Sequence, residues 1–378
     1  GLDKVISENS TNEEIARAFA RADLPDYVSR DLETVIAKLE GPLAVRSSSL
    51  LEDSKTQPFA GVYKTYMLAN NNPDPAVRLA ELERAVKFVY ASVFSRDARA
   101  YRKMNPLIID EEKMGVVIQR VVGRERGGGR FYPAFAGVMQ SYNYYPVPPL
   151  EAEDPIAHIA LGLGKTIVEG FNALRFSPAH PLNLHQFSTL QDFLTNSQKK
   201  FIALKTGPRS GELSYDEEPA LVTAGIEDAE ADGTLELVGS TYSFENDRVY
   251  DGITERGARL ITFAPVLKND ALPLSDILST LSAMGKEAMG SNIEMEFACD
   301  YDTASGSAVF NILQMRPMVS RSPIKKVSLK DLKPESLLCL SAKALGNGAL
   351  RDIADLVYVI PEKFDALKTR EIADEIDA

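Results

Sequence analysis

Three short stretches of the sequence carry side chains that could bind a phosphate group or a metal ion. The first is Arg46 with Ser47 and two further serines, after the apolar run PLAV, followed later by Gly61. A guanidinium offers forked donors that match phosphate oxygens, hydroxyls extend such a cradle, and a glycine lets the backbone approach a ligand. The stretch predicts a phosphate-binding strand end. Taken alone, a surface hairpin with a polar turn explains it more readily.

The second stretch is glycine-rich and precedes an apolar segment. Gly162, Gly164 and Lys165 belong to GLGKT, and EG follows shortly after. A glycine-rich turn ahead of a helix can point free N–H groups at phosphate. The spacing is not that of a P-loop. A tight turn that packs two elements against each other is an equal alternative.

The third stretch carries hard oxygen ligands. Glu294 and Glu296 lie two apart in an apparent strand and so share one face. If FNILQMRP pairs with this strand as a hairpin, Gln314 lies beside them, with Phe297 and Phe310 toward the core. Two carboxylates and an amide oxygen suit Mg²⁺, and like charges on one face favour a counter-cation. An exposed edge in water remains the alternative.

The elements that must position these residues are helices interleaved with antiparallel hairpins. Residues 11–40 and 74–104 have helical periodicity, and 114–122 forms a β-branched apolar run. We predict an α+β fold with two lobes, mixed or antiparallel sheets and flanking helices. The predicted domains are residues 1–112, 113–320 and 321–378, the last a linker with the start of a further unit.

Composition narrows the classes of partner. The net charge of −12 disfavours binding to nucleic acid or to an anionic membrane. Two cysteines cannot form a disulfide framework, so we expect a cytoplasmic protein. No apolar run has the length of a membrane span, and both ends of the sequence suggest part of a longer chain. The three histidines lack partners at metal-ligand spacing and are expected to be structural or to lie on the surface.

Taken together and in this order, the stretches LAVRSSS…FAGVY, VVIQRVV, GLGKTIVEG and IEMEFACD…FNILQMRP resemble the N-terminal ATP-binding region of phosphoenolpyruvate synthase and pyruvate phosphate dikinase. The resemblance covers roughly residues 40 to 320. It implies an ATP-grasp-like fold with the nucleotide between two lobes. It also implies ATP and Mg²⁺ as cofactors and a histidine on a separate domain as phosphoryl acceptor.

The resemblance also implies roles for individual residues. Arg46 corresponds to an arginine on the nucleotide phosphates, and Arg316 closes the LQxRP motif, so both are candidate catalytic residues. Glu294, Glu296 and Gln314 are the implied metal ligands. The implied nucleotide-binding residues are Ser47, Gly61, Gln119, Val121, Gly162, Gly164 and Lys165.

Some positions depart from the family pattern. Lys165 replaces a usual glutamate, SYNYYP replaces an acidic stretch, and the N-terminal GGKxxxL-like segment and the GGxTSHA phosphohistidine motif are missing from these 378 residues. Two alternatives therefore stay open beside an ATP-dependent phosphotransferase acting on histidine. One is an inactive nucleotide-binding regulatory module, and the other is a phosphotransferase for a small molecule such as an antibiotic.

Overall fold

The computed structural model describes residues 10–49, 62–104, 113–207, 213–215, 220–254, 256–302 and 305–318, and the single positions 337, 338, 354 and 368. The chain divides into two compact units, residues 1–320 and 321–378. All elements given below belong to the first unit. Within the described part of the chain, none of the helices combines the length and the apolar character that a membrane crossing requires.

The first layer consists of helices packed on a three-stranded antiparallel sheet, which we call the N-terminal sheet. Its strand order is β2-β1-β3. Its elements are α1 (Asn12–Arg21), α2 (Asp26–Lys38), β1 (Leu43–Ser49), β2 (Thr65–Leu68), α3 (Pro75–Ser92), α4 (Arg96–Met104) and β3 (Met114–Arg120). Strand β3 pairs along the whole of β1, so this sheet joins strands from both sides of residue 112.

Local sequence signals set where these helices begin. The Thr11 hydroxyl accepts from the Glu14 N–H and the Glu14 carboxylate accepts from the Thr11 N–H, which forms a capping box at the start of α1. At the start of α3 the Asp74 carboxylate accepts from the Ala76 N–H at 2.9 Å, and Pro75 occupies the first helical position. The helical pattern predicted over 74–104 is thus confirmed as two helices with one break.

A five-stranded antiparallel sheet forms the centre of the unit, and we call it the central sheet. Its strand order is β15-β14-β6-β7-β8. The strands are β6 (Phe135–Gln140), β7 (Ile156–Ala160), β8 (Leu174–Phe176), β14 (Ile293–Asp302) and β15 (Ser307–Pro317). Helix α10 (Leu274–Met289) packs against one face, and Ile293, Met295 and Phe297 of β14 are fully buried there.

The remaining elements surround the central sheet. They form a sheet of order β10-β9-β5-β4, a sheet of order β12-β11-β13, and short helices. They are β4 (Arg124–Arg126), β5 (Arg130–Tyr132), α5 (Lys165–Val168), α6 (Leu190–Asn196), β9 (Lys200–Lys205), β10 (Leu221–Gly225), α7 (Ile226–Ala231), α8 (Leu235–Val238), β11 (Gly239–Ser243), β12 (Arg248–Asp251), β13 (Ala258–Ile261) and α9 (Ala264–Leu267). Helices over antiparallel sheets confirm the α+β class.

The predicted hairpin of β14 and β15 is confirmed, with one irregularity. Glu296 lies opposite Gln314, but the next residue, Phe297, lies opposite Ile312. Leu313 is therefore a β-bulge. An unbroken strand would put Gln314 and Phe310 on the same face, since an even number of positions separates them. The bulge instead leaves Gln314 on the polar face while Phe310 stacks on Phe297 in the core.

Candidate functional site

The N-terminal sheet has one face in its helical core and the other toward β15. Leu43 and Val45 are fully buried in the helical core. Arg46, at the next position of β1, therefore points to the other face. Gln119 lies opposite Ala44 in β3 and shares that face. The strand pattern thus brings Arg46 and Gln119, far apart in sequence, to one surface.

Arg46 reaches from this surface to two predicted metal ligands on the central sheet. Its Nη2 donates to Oε2 of Glu296 and to Oε1 of Gln314, each at 2.9 Å. The side chains of Arg46 and Glu296 are 25 % and 31 % exposed, so a ligand can reach the pair from solvent. A carboxylate oxygen and an amide oxygen therefore converge on a single cationic nitrogen.

A second arginine lies next to this group on the same face. Arg316 is directly opposite Glu294, and its Nε donates to Glu294 Oε1 at 2.9 Å, with a further contact from Nη2. The other carboxylate oxygen of Glu294 accepts from Gln140 Nε2 at 2.8 Å. Both oxygens of Glu294 are thus used inside the protein. Its partner Gln140 was not singled out from the sequence, because only the β6–β14 register reveals it.

The bulge connects the two sheets. Gln119 Nε2 donates to the carbonyl oxygen of Leu313 at 3.2 Å. Leu313 is the extra residue of β15, so its carbonyl is turned out of the regular ladder. Gln119 is therefore a bridging residue between β3 and β15, beside the contact of Arg46 with Glu296.

Strand alternation separates the serines that follow Arg46. Ser47 lies on the face of β1 that carries Val45, away from Arg46, whereas Ser48 shares the face of Arg46. Thr65, directly opposite Arg46 in β2, shares that face too. The two hydroxyl residues placed beside Arg46 are therefore Ser48 and Thr65, and the period of two could have identified Ser48 from sequence.

One further predicted nucleotide contact, Val121, lies directly after β3 and beside the start of β1. The Val121 N–H donates to the Pro42 carbonyl at 2.9 Å, so this donor is used within the fold. A contact of the Val121 N–H with the nucleotide, as the family resemblance implies, would have to replace that bond. Gly61 lies outside the described residues.

The GLG turn packs closely against β9. Gly162 has φ +91°, and a Cβ at this position would lie 2.8 Å from the carbonyl oxygen of Ile202 and 2.8 Å from Phe201 Cδ2. The neighbouring Leu163 N–H donates to the same carbonyl at 2.9 Å. Gly162 thus meets a packing requirement, which is the alternative that the sequence left open.

Gly164 and Lys165 lie at the start of the short helix α5. Gly164 has ordinary right-handed dihedrals, and its nearest neighbour for an added Cβ is Ala136 at 3.9 Å. Lys165 Nζ lies 3.7 Å from Glu169 Oε1. A helix of only four residues has a small dipole, so these residues contribute less to anion binding than a longer helix would.

The chemistry of the donor set determines which cation it could hold. Among the described residues, no group of three or more His, Cys, Asp and Glu side chains is arranged around a common metal position. The Glu296–Gln314 pair offers only two oxygen ligands. Such a pair suits Mg²⁺, which takes few protein oxygens and keeps several waters or phosphate oxygens. Its convergence on Arg46 Nη2 shows that the pair can accept one positive group.

The opposite end of the central sheet carries a partly exposed histidine. His158 lies opposite Arg175 of β8, and burial followed by the charge of Arg175 lowers the pKa of His158. The imidazole is therefore neutral near pH 7. His158 has no role in the pattern of Arg46, Glu296 and Gln314.

Known proteins show similarity to this chain. Rifampicin phosphotransferase of Streptomyces sviceus is 28 % identical over 161 residues, which are 42 % of this chain and 16 % of that protein. Phosphoenolpyruvate synthase of Aeropyrum pernix is 31 % identical over 168 residues, 42 % of this chain and 18 % of the relative. An uncharacterized phosphotransferase of Bacillus subtilis, YvkC, is 30 % identical over 163 residues, which are 42 % of this chain and 17 % of that protein. The matched part thus spans less than a fifth of each relative.

A family-wide comparison covers more of the sequence. The profile described as pyruvate phosphate dikinase, AMP/ATP-binding domain, matches residues 2–336. This match includes β1, the GLG turn and the β14–β15 hairpin, and it confirms the resemblance seen in the motifs. Because it extends over most of the 378 residues, the chain belongs to the family of the pyruvate phosphate dikinase AMP/ATP-binding domain.

Proposed function

We propose that this chain is the ATP-binding module of a Mg²⁺-dependent phosphotransferase that passes a phosphoryl group from ATP to a histidine on another domain. The observation that carries the proposal is the convergence of Glu296 Oε2 and Gln314 Oε1 on Arg46 Nη2, each at 2.9 Å. A phosphate-binding cation and a metal-binding oxygen pair side by side are the components that phosphoryl transfer needs.

Glu296 and Gln314 would hold the metal ion, and Arg46 would turn to the nucleotide phosphates. A Mg²⁺ ion held there would neutralise negative charge on the phosphates. Arg46 presents forked donors to phosphate oxygens and stabilises the charge that develops on the transferred group. In the transfer, the bond from phosphorus to a nucleotide oxygen breaks with its electrons remaining on that oxygen, and a bond to the imidazole nitrogen forms.

Glu294 would orient Arg316 instead of binding metal directly. Both carboxylate oxygens of Glu294 accept hydrogen bonds, from Arg316 and from Gln140. Held in this way, Arg316 adds a second positive charge beside the first. Ser48 and Thr65 would add hydroxyl donors next to Arg46, and Gln119 would fix the distance between the two sheets.

The remaining predicted residues belong to this proposal with smaller roles. Gly162 would keep the GLG turn close to β9, and Gly164 and Lys165 would lie at its phosphate side. Ser47, Gly61 and Val121 remain predicted nucleotide contacts that rest on the family resemblance. The domain limits 1–112, 113–320 and 321–378 also remain predictions.

The acceptor is proposed from the family resemblance, and the names of the relatives, a phosphoenolpyruvate synthase and rifampicin phosphotransferases, support phosphoryl transfer in general. We propose a histidine on a separate acceptor domain as the group that receives phosphate first. A cytoplasmic location belongs to the same proposal, since Cys299 is a free and buried thiol.

The proposal is tested by calorimetric titration of the protein with ATP, with and without Mg²⁺. Wild type should bind ATP at least about tenfold more tightly with Mg²⁺, and Glu296→Gln should abolish this gain, because the charged metal ligand is lost. Asp300→Asn is the matched control. Asp300 lies on the same strand as Glu296, and its carboxylate forms an ion pair with Arg124 at 2.7 Å. This control should keep the gain.

Two outcomes separate the alternatives. A Mg²⁺-dependent gain that survives in Glu296→Gln contradicts the metal assignment. Saturable ATP binding without any acid-labile phosphohistidine in the full-length protein would favour the regulatory module over the phosphotransferase.

A further inference from the structure

A row of directly opposed residues crosses the polar face of the central sheet. From β15 to β8 the register joins Gln314, Glu296, Val138, His158 and Arg175. All five are partly exposed, whereas Ala298, Ala136 and Ala160 on the same face are buried. The row is therefore a partly exposed strip beside buried residues, which we call the groove, with the proposed metal pair at one end and Arg175 with His158 at the other.

The two ends are far enough apart to bind different chemical groups. Neighbouring strands lie about 4.8 Å apart, so three spacings put Arg175 of β8 about 14 Å from Glu296 of β14. A group bound at Arg175 cannot touch the Glu296–Gln314 pair. Any ligand there is either a separate molecule or a distant part of a larger one.

Arg175 has no acidic partner in the described part of the chain. Its Nη2 donates to Oδ1 of Asn143 at 3.0 Å and to the Tyr145 carbonyl at 3.5 Å, both neutral acceptors. Burial lowers the pKa of Arg175. A half-buried guanidinium that contacts only neutral groups is a costly arrangement unless an anion completes it.

Asn143 supplies a second unsatisfied donor at the same place. Its side chain is buried, at 1 % exposure, and Nδ2 has no hydrogen-bond partner among the described residues. Its Oδ1 accepts from both Arg175 and the Tyr145 N–H, which fixes the amide orientation. Because both amide atoms are bonded to one carbon, Nδ2 lies next to the guanidinium. A buried donor without a partner is rare in folded proteins.

We propose that Arg175, Asn143 and His158 form a binding site for an oxyanion group, a carboxylate or a phosphate, of a ligand lying along this groove. The guanidinium offers paired donors, the Asn143 amide offers the donor that now lacks a partner, and the imidazole closes the site from β7. This site is separate from the proposed metal pair and does not require nucleotide.

The test uses the imidazole signals of the three histidines in the proton NMR spectrum of the protein. His158→Gln assigns the His158 signal. Inorganic phosphate and acetate are titrated separately at constant ionic strength. One of the two should shift the His158 signal saturably, and the tighter of them identifies the chemical class.

Substitutions then assign the shift to the site. Arg175→Gln should weaken the anion at least tenfold, and Arg175→Lys should weaken it less because charge remains without the fork. Arg124→Gln is the matched control, since it removes an arginine that pairs with Asp300 on the same sheet. It should bind the anion as wild type does. Arg175→Lys provides the comparison if Arg175→Gln does not fold.

Several results would overturn the proposal. They are the absence of a saturable shift with either anion, equal shifts of all three histidines, or the same affinity in wild type and both Arg175 variants. Glu296→Gln should leave the shift unchanged. The anion-site proposal can therefore be rejected while the nucleotide-site proposal is retained, and the reverse is also true.

Discussion

Replacing Arg46 by glutamine should have opposite effects on the two ligands proposed for the site. Arg46 Nη2 now occupies the oxygens of Glu296 and Gln314 that would bind metal. Removing the guanidinium removes the positive group that competes with a metal ion for these oxygens, and glutamine brings no positive charge in its place. The nucleotide loses its forked donor. ATP binding should therefore weaken while binding of the free metal ion stays equal or strengthens.

The expected changes in folding stability and in ATP affinity can be estimated from the exposure of Arg46 and Glu296. Since Arg46 and Glu296 are 25 % and 31 % exposed, their ion pair contributes about 1 kcal/mol or less to folding. A hydrogen bond from a charged donor to phosphate contributes about 1.5–3 kcal/mol, which corresponds to about a 10- to 150-fold loss of ATP affinity. The loss of binding thus exceeds what a slight loss of folding stability can explain.

Calorimetry measures the ATP affinity, and Mn²⁺, as a paramagnetic substitute for Mg²⁺, reports on metal binding without nucleotide. Arg124→Gln serves again as the control for losing one positive charge. An Arg46→Gln protein with wild-type ATP affinity would refute the phosphate role. Weaker Mn²⁺ binding in that variant would refute the competition between arginine and metal.

Two further predictions concern stability. Gly162→Ala should destabilise the fold by about 1–3 kcal/mol, because φ is positive and the added Cβ lies 2.8 Å from a backbone oxygen. Gly164→Ala, the control, should change the free energy of unfolding by less than about 1 kcal/mol. Equal urea midpoints for the two variants would contradict this prediction. The pKa of His158 is lowered below its ordinary value of 6.5, so the unfolded chain binds the proton more readily, and stability should fall as pH drops below 6.5 toward the folded pKa, by at most about 1.4 kcal/mol per pH unit. Urea midpoints at pH 7.5 and 5.5 should therefore differ more in wild type than in His158→Gln, and an equal difference would rule out this histidine as the cause.

Local patterns sufficed to predict the strands and the hairpin. The apolar run before Arg46 and the alternation around Glu294 are signals within single elements. That Arg46 shares one site with Glu296 and Gln314 is implied only by the family resemblance, and their direct contact was not expected. These residues are far apart in sequence, and their contact depends on the packing of two sheets. The family resemblance implies Ser47, whereas the period of two places Ser48 on the face of Arg46.

Other features could not be read from one sequence. The donor of Val121 is used by Pro42, and Gln140 joins Glu294 through the β6–β14 register, which depends on non-local pairing. The cluster of Arg175 and Asn143 lies across a long connection between β6 and β8. No local periodicity reports on such contacts.

The bulge at Leu313 has a consequence for how relatives of this chain can differ in length. On either side of it, the two halves of β15 are out of phase by one residue, and the pairs Glu296–Gln314 and Phe297–Ile312 are already those of a regular ladder. Losing Leu313 would therefore preserve both faces and remove only the carbonyl that Gln119 uses. A one-residue gain or loss at another position within either strand would turn part of that strand inside out. Within β15, position 313 is thus where a residue can be lost without exchanging groove and core.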